Sequence, residues 1–139
     1  MNGLGRINAL VLDKDPFILK VLARMLANKG ITNVATFDSG RAALRWMDEE
    51  YGRPNLILCD LNMPQTEGIE FVQQLAERQF VGSLVLMDDD QAWSLPSESA
   101  RVAASLVPVL GHLHKPATPE ALLELLSKWQ RNQPARLNA

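Results

Sequence analysis

Several charged side chains directly follow short apolar segments of this sequence: Asp13, Lys14, Asp15, Asp60, Asp88, His114 and Lys115. Carboxylates that are brought together repel one another and need a cation, and Mg²⁺ is suited to this because it binds carboxylate and phosphate oxygens. A carboxylate beside Mg²⁺ and a lysine can attack a phosphoryl group and form an aspartyl phosphate. The charged residues therefore indicate phosphoryl chemistry, provided that the fold brings them together.

Short apolar runs bounded by turn residues predict the strands that would position these groups. The five runs are Ala9–Leu12, Val34–Phe37, Leu56–Cys59, Leu84–Met87 and Leu110–Leu113. Apolar residues at helical spacing lie between them, which is typical of alternating strands and helices. This alternation predicts an α/β fold with a (βα)5, flavodoxin-like, doubly wound five-stranded parallel sheet. Sites in such sheets form at the carboxyl ends of the strands, where the charged residues fall.

Composition limits the functions that are open to the chain. It has 139 residues, of which 47% are hydrophobic and 22% charged, as expected for one globular domain. A net charge of −2 with scattered basic residues argues against binding to nucleic acid or to an anionic membrane. The single cysteine, Cys59, excludes an internal disulfide and favours the cytoplasm. We expect a domain over residues 7–130 and a polar tail or linker over residues 131–139.

Two motifs resemble those of response-regulator receiver domains in two-component signalling. "LILCDLNMPQTEGIEFV" resembles the phosphoacceptor segment of that family, and "LHKP" resembles the lysine-proline pair that ends its fifth strand. The resemblance implies that Asp60 is the phosphoacceptor and that Lys115 contacts the phosphoryl group. It also implies a Mg²⁺ site formed by Asp13, Asp60 and the backbone carbonyl of Asn62, and a cis bond before Pro116.

Three positions depart from the family pattern. Lys14 stands where a second acidic Mg²⁺ ligand is expected, Asp88 replaces the switch Ser or Thr, and His112 replaces the switch aromatic residue. An ionised Asp88 cannot donate the hydrogen bond that a hydroxyl gives to a phosphoryl oxygen. The ammonium of Lys14 either takes over part of the charge of the metal ion or extends into solvent. We therefore expect weak or absent Mg²⁺ binding and impaired phosphorylation.

Expectations about partners follow from the resemblance. A receiver domain implies a sensor histidine kinase or a phosphotransfer protein as partner, and it implies no enzymatic activity of its own. "VLGHLHKPATPEAL" is similar to receivers attached to cyclic-di-GMP phosphodiesterase domains, so an output domain such as a cyclic-di-GMP enzyme is one expectation. A homodimer is another, formed through the fourth helix, fifth strand and fifth helix with contributions from His112, His114 and Trp129.

Two alternatives remain open at the level of sequence. The first is an interaction module that keeps the receiver fold and signals without phosphorylation. The second is a phosphatase of the haloacid-dehalogenase type, because "LVLDKDPF" also resembles its Asp-x-Asp motif, with Asp13 as nucleophile and Asp15 as general acid. Against the phosphatase, the expected lysine should precede the acidic pair "LMDDD", whereas Lys115 follows it, and Pro16 leaves no room for a cap insertion.

Overall fold

A sheet of five parallel strands lies between helices in the computed structural model, which describes residues 3–49, 53–63, 67–88 and 98–133. The strands are β1 (Asn8–Leu12), β2 (Asn33–Phe37), β3 (Leu56–Asp60), β4 (Ser83–Asp88) and β5 (Val109–His114). The helices are α1 (Pro16–Asn28), α2 (Gly40–Asp48), α3 (Glu67–Glu77), α4 (Glu98–Ser105) and α5 (Pro119–Asn132). The strand order β2-β1-β3-β4-β5 confirms the predicted doubly wound (βα)5 sheet.

Each predicted apolar run lies within one of the observed strands, and the register of the sheet aligns their carboxyl ends. Neighbouring residues across the central strands are Leu12 and Cys59, Asp60 and Met87, and Asp88 and His114. All five residues of β3 are buried, which explains why its sequence is apolar without alternation. The charged residues that follow β1, β3, β4 and β5 are thus brought to one edge of the sheet.

The two faces of the sheet bury separate hydrophobic clusters. Alternate residues of β1 belong to the two clusters. Val11 packs in the cluster that includes residues of α1 and α5, and Leu10 packs in the cluster that includes residues of α2 and α3. Trp129 of α5 belongs to the first cluster and is only 4% exposed. The prediction that Trp129 contributes to a partner-binding surface is therefore wrong, because its indole completes the core.

Side-chain caps fix where three helices begin. The carboxylate of Asp15 accepts a hydrogen bond from the backbone N–H of Phe17 at 2.9 Å, and Pro16 occupies the first turn of α1. Ser39 caps α2 and Thr118 caps α5 in the same manner. The cap at Asp15 sets the point at which the chain turns from β1 into α1, immediately beside Asp13 and Lys14.

The last helix extends slightly into the segment predicted as a tail. Arg131 and Asn132 are the final residues of α5, and residues 134–139 lie outside the described part of the chain. Among the described helices, none has the length and apolar character needed to cross a membrane.

Candidate functional site

Three carboxylates meet at the carboxyl edge of the central strands. Asp13 follows β1, Asp60 ends β3 and Asp88 ends β4. Asp13 and Asp60 are fully buried and Asp88 is 9% exposed, and they are the buried charged residues of the described chain. Charged groups removed from water need compensating charges or hydrogen bonds, so this group of acids defines the site.

Lys115 supplies one compensating charge. Its Nζ atom lies 3.0 Å from Asp13 Oδ2 and 3.3 Å from Asp60 Oδ1, in a largely buried position. Burial lowers the pKa of Lys115, but the hydrogen bond that Lys115 donates to Asp13 and the charges of Asp60 and Asp13 outweigh burial and raise that pKa above its ordinary value. The bond between Lys115 and Pro116 is cis, as the resemblance implied. Lys115 is therefore a permanent cation between two acids.

The two oxygens of Asp60 have different surroundings. Oδ1 accepts a hydrogen bond from the backbone N–H of Asn62 at 2.9 Å and faces Lys115. Oδ2 is buried and has no hydrogen-bond partner in the described part of the chain. Burial raises the pKa of Asp60, and the charge of Asp13 adds to this, whereas the Asn62 N–H and Lys115 oppose it. An uncommitted oxygen next to an ammonium group is suited to attack on a phosphoryl group.

Lys14 reaches across the site from the loop between β1 and α1. Its Nζ atom donates a hydrogen bond to the backbone carbonyl oxygen of Asn62 at 2.8 Å. Although much of the Lys14 side chain is exposed, its ammonium group is thus bonded to the segment that follows β3. This geometry favours the hypothesis that Lys14 supplies charge to the site over the hypothesis that it only extends into solvent.

Asp88 is held by groups on both sides. Its Oδ1 atom accepts a hydrogen bond from the side-chain amide of Asn62 at 3.2 Å, and its backbone carbonyl accepts one from the N–H of Lys115 at 2.9 Å. The resemblance implied a role only for the backbone carbonyl of Asn62, and this side-chain contact was not predicted. A polar residue two positions after the phosphoacceptor candidate was the available signal.

His112 occupies an exposed position on β5. Desolvation lowers the pKa of its imidazole, the charges of His114 and Lys128 act in the same direction, and Asp88 opposes them. His112 therefore favours the neutral form more than a free histidine does.

The chain matches the model of a known protein family. The family model of the response regulator receiver domain matches residues 9–127. The chain belongs to this family. It is therefore a receiver domain of the kind found in two-component systems, and the strand-end acids and Lys115 lie where the "LILCDLNMP" and "LHKP" motifs place them.

Relatives of this receiver domain share about a quarter of its residues. The positive alginate biosynthesis regulatory protein of Pseudomonas aeruginosa is 27% identical over 135 residues, which cover 96% of this chain and 51% of that protein. The crystal structure of a response regulator from Colwellia psychrerythraea is 26% identical, with a TM-score of 0.71, and covers 90% of this chain and 97% of that one. Chemotaxis response regulator CheY4 of Vibrio cholerae is 26% identical, with a TM-score of 0.68 and coverage of 87% and 96%. The receiver domain thus spans about half the length of the Pseudomonas protein.

Receiver domains generally bind Mg²⁺ at the phosphorylation site, which requires oxygen ligands that are free to face the ion. Here the carbonyl of Asn62 already accepts the ammonium of Lys14, and both oxygens of Asp13 accept donors, from the N–H of Asp15 and from Lys115. Within the described residues, no group of three His, Cys, Asp or Glu side chains is arranged to hold a metal. Of the three groups that the resemblance assigns to Mg²⁺, Asp13 and the Asn62 carbonyl are thus already engaged by donors within the described chain, whereas Asp60 keeps its Oδ2 atom uncommitted.

Proposed function

We propose that this receiver domain takes part in a two-component phosphorelay with Asp60 at the phosphoacceptor position and with phosphorylation impaired by Lys14 and Asp88. The observation that carries the proposal is the 2.8 Å hydrogen bond from Lys14 Nζ to the Asn62 carbonyl. It directs an ammonium group to an oxygen that the family uses for its metal ion.

The surroundings of Asp60 support its role as the acceptor. Its Oδ2 atom is uncommitted, and Lys115 lies 3.3 Å from its other oxygen, where it could also contact a transferred phosphoryl group. Asp13 orients Lys115 through the shorter, 3.0 Å contact. A carboxylate, an oriented lysine and a buried setting are the parts that remain from an active receiver site.

Two departures from the family pattern, Lys14 and Asp88, oppose the transfer of a phosphoryl group to Asp60. Without a divalent ion, the charge that develops on the phosphoryl oxygens is neutralised only by lysines. Asp88 places a carboxylate where a hydroxyl donor is expected, and a carboxylate repels the phosphoryl group instead of donating to it. Because both changes act on the same transition state, we expect the rate of phosphorylation to fall well below that of an ordinary receiver.

A second candidate is an interaction module that signals without phosphate, and exposed apolar side chains favour it. Four of the six exposed large hydrophobic residues in the described chain lie on α4, β5 or α5 or between α4 and β5: Val102 (53%), Leu106 (65%), Val109 (36%) and Leu123 (43%). Exposed apolar residues on consecutive elements of the fold are candidates for a protein contact. We call these four residues the α4–β5–α5 patch, and a homodimer through it is the simplest form of this candidate.

The phosphatase alternative has less support. Its general acid would be Asp15, whose carboxylate is used to cap α1 through the N–H of Phe17. We therefore propose no enzymatic activity for the domain.

Partners follow from the proposed role. A sensor histidine kinase or a phosphotransfer protein would be the phosphate donor, and any output lies in a separate domain or protein. Because the chain spans about half of the Pseudomonas relative, an attached output domain is consistent with the family, and a cyclic-di-GMP enzyme is one proposal for it.

Intact-mass analysis after incubation with acetyl phosphate and Mg²⁺ tests the proposal. We expect a small, slowly formed phosphoryl adduct that is absent from Asp60→Asn. Rapid and complete phosphorylation of the wild type would show that Lys14 and Asp88 do not impair the site. An adduct of equal size in Asp60→Asn would show that Asp60 is not the acceptor.

A further inference from the structure

Buried acids at the sheet edge need positive charge, and the ammonium groups of two lysines lie at this site. Lys115 contacts Asp13 and Asp60, while Lys14 contacts the Asn62 carbonyl, whose dipole carries the negative end toward the ammonium group. Three carboxylates and two ammonium groups leave a formal charge of −1 at the site. With an acid in place of Lys14, this same site would carry a formal charge of −3 before any metal ion is bound.

We propose that the ammonium group of Lys14 is the resident cation of this site and that it replaces the divalent ion in holding the site together. This inference deepens the proposed function, because it makes the arrangement of the site independent of Mg²⁺. The Asn62 carbonyl that a metal would need is already satisfied by a cation that is covalently part of the chain.

The contacts of Asn62 explain what the resident cation, the ammonium group of Lys14, does. Its backbone N–H donates to Asp60 Oδ1, its carbonyl accepts from Lys14, and its side-chain amide donates to Asp88 Oδ1. One residue thus joins the segment after β3 to the ends of β1, β3 and β4. Lys14 keeps this junction closed at any concentration of Mg²⁺, whereas a bound ion would dissociate as its concentration falls.

Thermal unfolding and calorimetry with MgCl2 alone test the inference, with KCl at matched ionic strength as the reference. We expect the Tm of the wild type to stay the same with and without millimolar Mg²⁺. Lys14→Ala should have a lower Tm that Mg²⁺ raises, and Lys14→Asp should bind Mg²⁺ at least tenfold more tightly than the wild type. Lys20→Ala is the matched control, since it removes an exposed lysine from the nearby helix α1 and should behave like the wild type.

The inference is overturned if the wild type binds Mg²⁺ with submillimolar affinity, or if Lys14→Ala responds to Mg²⁺ no more than Lys20→Ala does. The wild-type titration needs no variant, so poor folding of Lys14→Ala would not leave the question open. The result also separates this inference from the proposed function. A wild type that binds Mg²⁺ but is not phosphorylated would refute Lys14 as the resident cation and would leave the proposed effect of Asp88 standing. A wild type that is rapidly phosphorylated without binding Mg²⁺ would refute the impaired phosphorylation and would leave Lys14 as the resident cation.

Discussion

The side-chain amide of Asn62 lies 3.2 Å from Asp88 Oδ1 and donates a hydrogen bond to it. This contact joins the residue at the switch position to the segment that follows the phosphoacceptor position. The carboxylate of Asp88 is thus oriented by a donor from within the domain and does not need a phosphoryl group to hold it in place. In the structure, the switch position is already bonded to the site.

Replacing Asn62 by Ala measures the contribution of this hydrogen bond to the stability of the domain. The variant removes the amide donor to the buried Asp88 carboxylate but keeps the backbone carbonyl that accepts from Lys14, and we expect a loss of about 1–3 kcal/mol in the free energy of unfolding. Asn33→Ala is the control, because its amide makes a hydrogen bond of the same length, 3.2 Å, to Asn8 at an exposed position. Urea denaturation of both variants checks the prediction, and equal losses would contradict it.

Asp60→Asn should stabilise the domain in a pH-dependent manner. Burial raises the folded-state pKa of Asp60 above its ordinary value of 3.8, with Asp13 acting in the same direction. A carboxyl group with a raised pKa stabilises the fold while it is protonated, and this contribution is lost as the pH rises through the raised pKa. The side-chain amide that Asp60→Asn introduces does not titrate, so the variant should be more stable than the wild type at neutral pH.

That advantage should shrink as the pH falls toward 3.8, the ordinary pKa of the aspartate. Urea denaturation of the wild type and Asp60→Asn at several pH values measures it. A stability difference that does not change with pH would show that the ionisation of Asp60 does not penalise the fold.

Gly68 marks a close approach between α3 and the carboxyl end of β3. A Cβ atom at this position would press against the backbone carbonyl of Asp60 and lie 3.0 Å from the Cα atom of Leu61. We expect Gly68→Ala to lose about 1–3 kcal/mol of stability through this overlap. Gly5→Ala is the matched control, since nothing lies within 4 Å of its added Cβ. Similar stabilities of the two variants would refute the steric argument.

The α4–β5–α5 patch should mediate self-association if the domain acts as an interaction module. Leu106, which is 65% exposed, is its most exposed member, and Leu106→Asp should reduce dimer formation. Val81→Asp is the control, because Val81 is 89% exposed but lies between α3 and β4, outside the patch. Sedimentation velocity at several concentrations measures this, and a wild type that is monomeric at every concentration would rule out the homodimer.

Periodicity predicted the sheet well because strands such as β3 are buried on both faces, which leaves an unbroken apolar run in the sequence. The meeting of Asp13, Asp60 and Lys115 was also predictable, since parallel strands end at one edge. The roles of residues that depend on their three-dimensional neighbours could not be predicted. Trp129 has the same helical spacing whether it faces solvent or the core, and only the packing against the sheet shows that it is buried.

The hydrogen-bond partners of long polar side chains could not be predicted from the sequence either. Lys14 can reach several groups from its position, and the bond to Asn62 depends on the relative placement of two loops that are 48 residues apart. The same holds for the bond between Asn62 and Asp88, which are separated by 26 residues. Sequence spacing gives no distance between such groups until the sheet register is known.

The most direct test of the central claim is to restore both missing groups and measure phosphorylation of Asp60. Lys14→Asp returns an acidic metal ligand, and Asp88→Thr returns a hydroxyl donor. Each single change should help little, because the first adds a fourth carboxylate and the second leaves the metal without its ligand. The two changes together should be more than additive, since both act on one phosphoryl group.

Intact-mass analysis with acetyl phosphate provides the measurement. We expect the double variant to gain the phosphoryl mass in a Mg²⁺-dependent manner, far faster than the wild type, and to lose that gain when Asp60→Asn is added. A wild type that is phosphorylated as fast as the double variant, or a folded double variant that stays unmodified, would contradict the claim that Lys14 and Asp88 are what impairs this receiver domain.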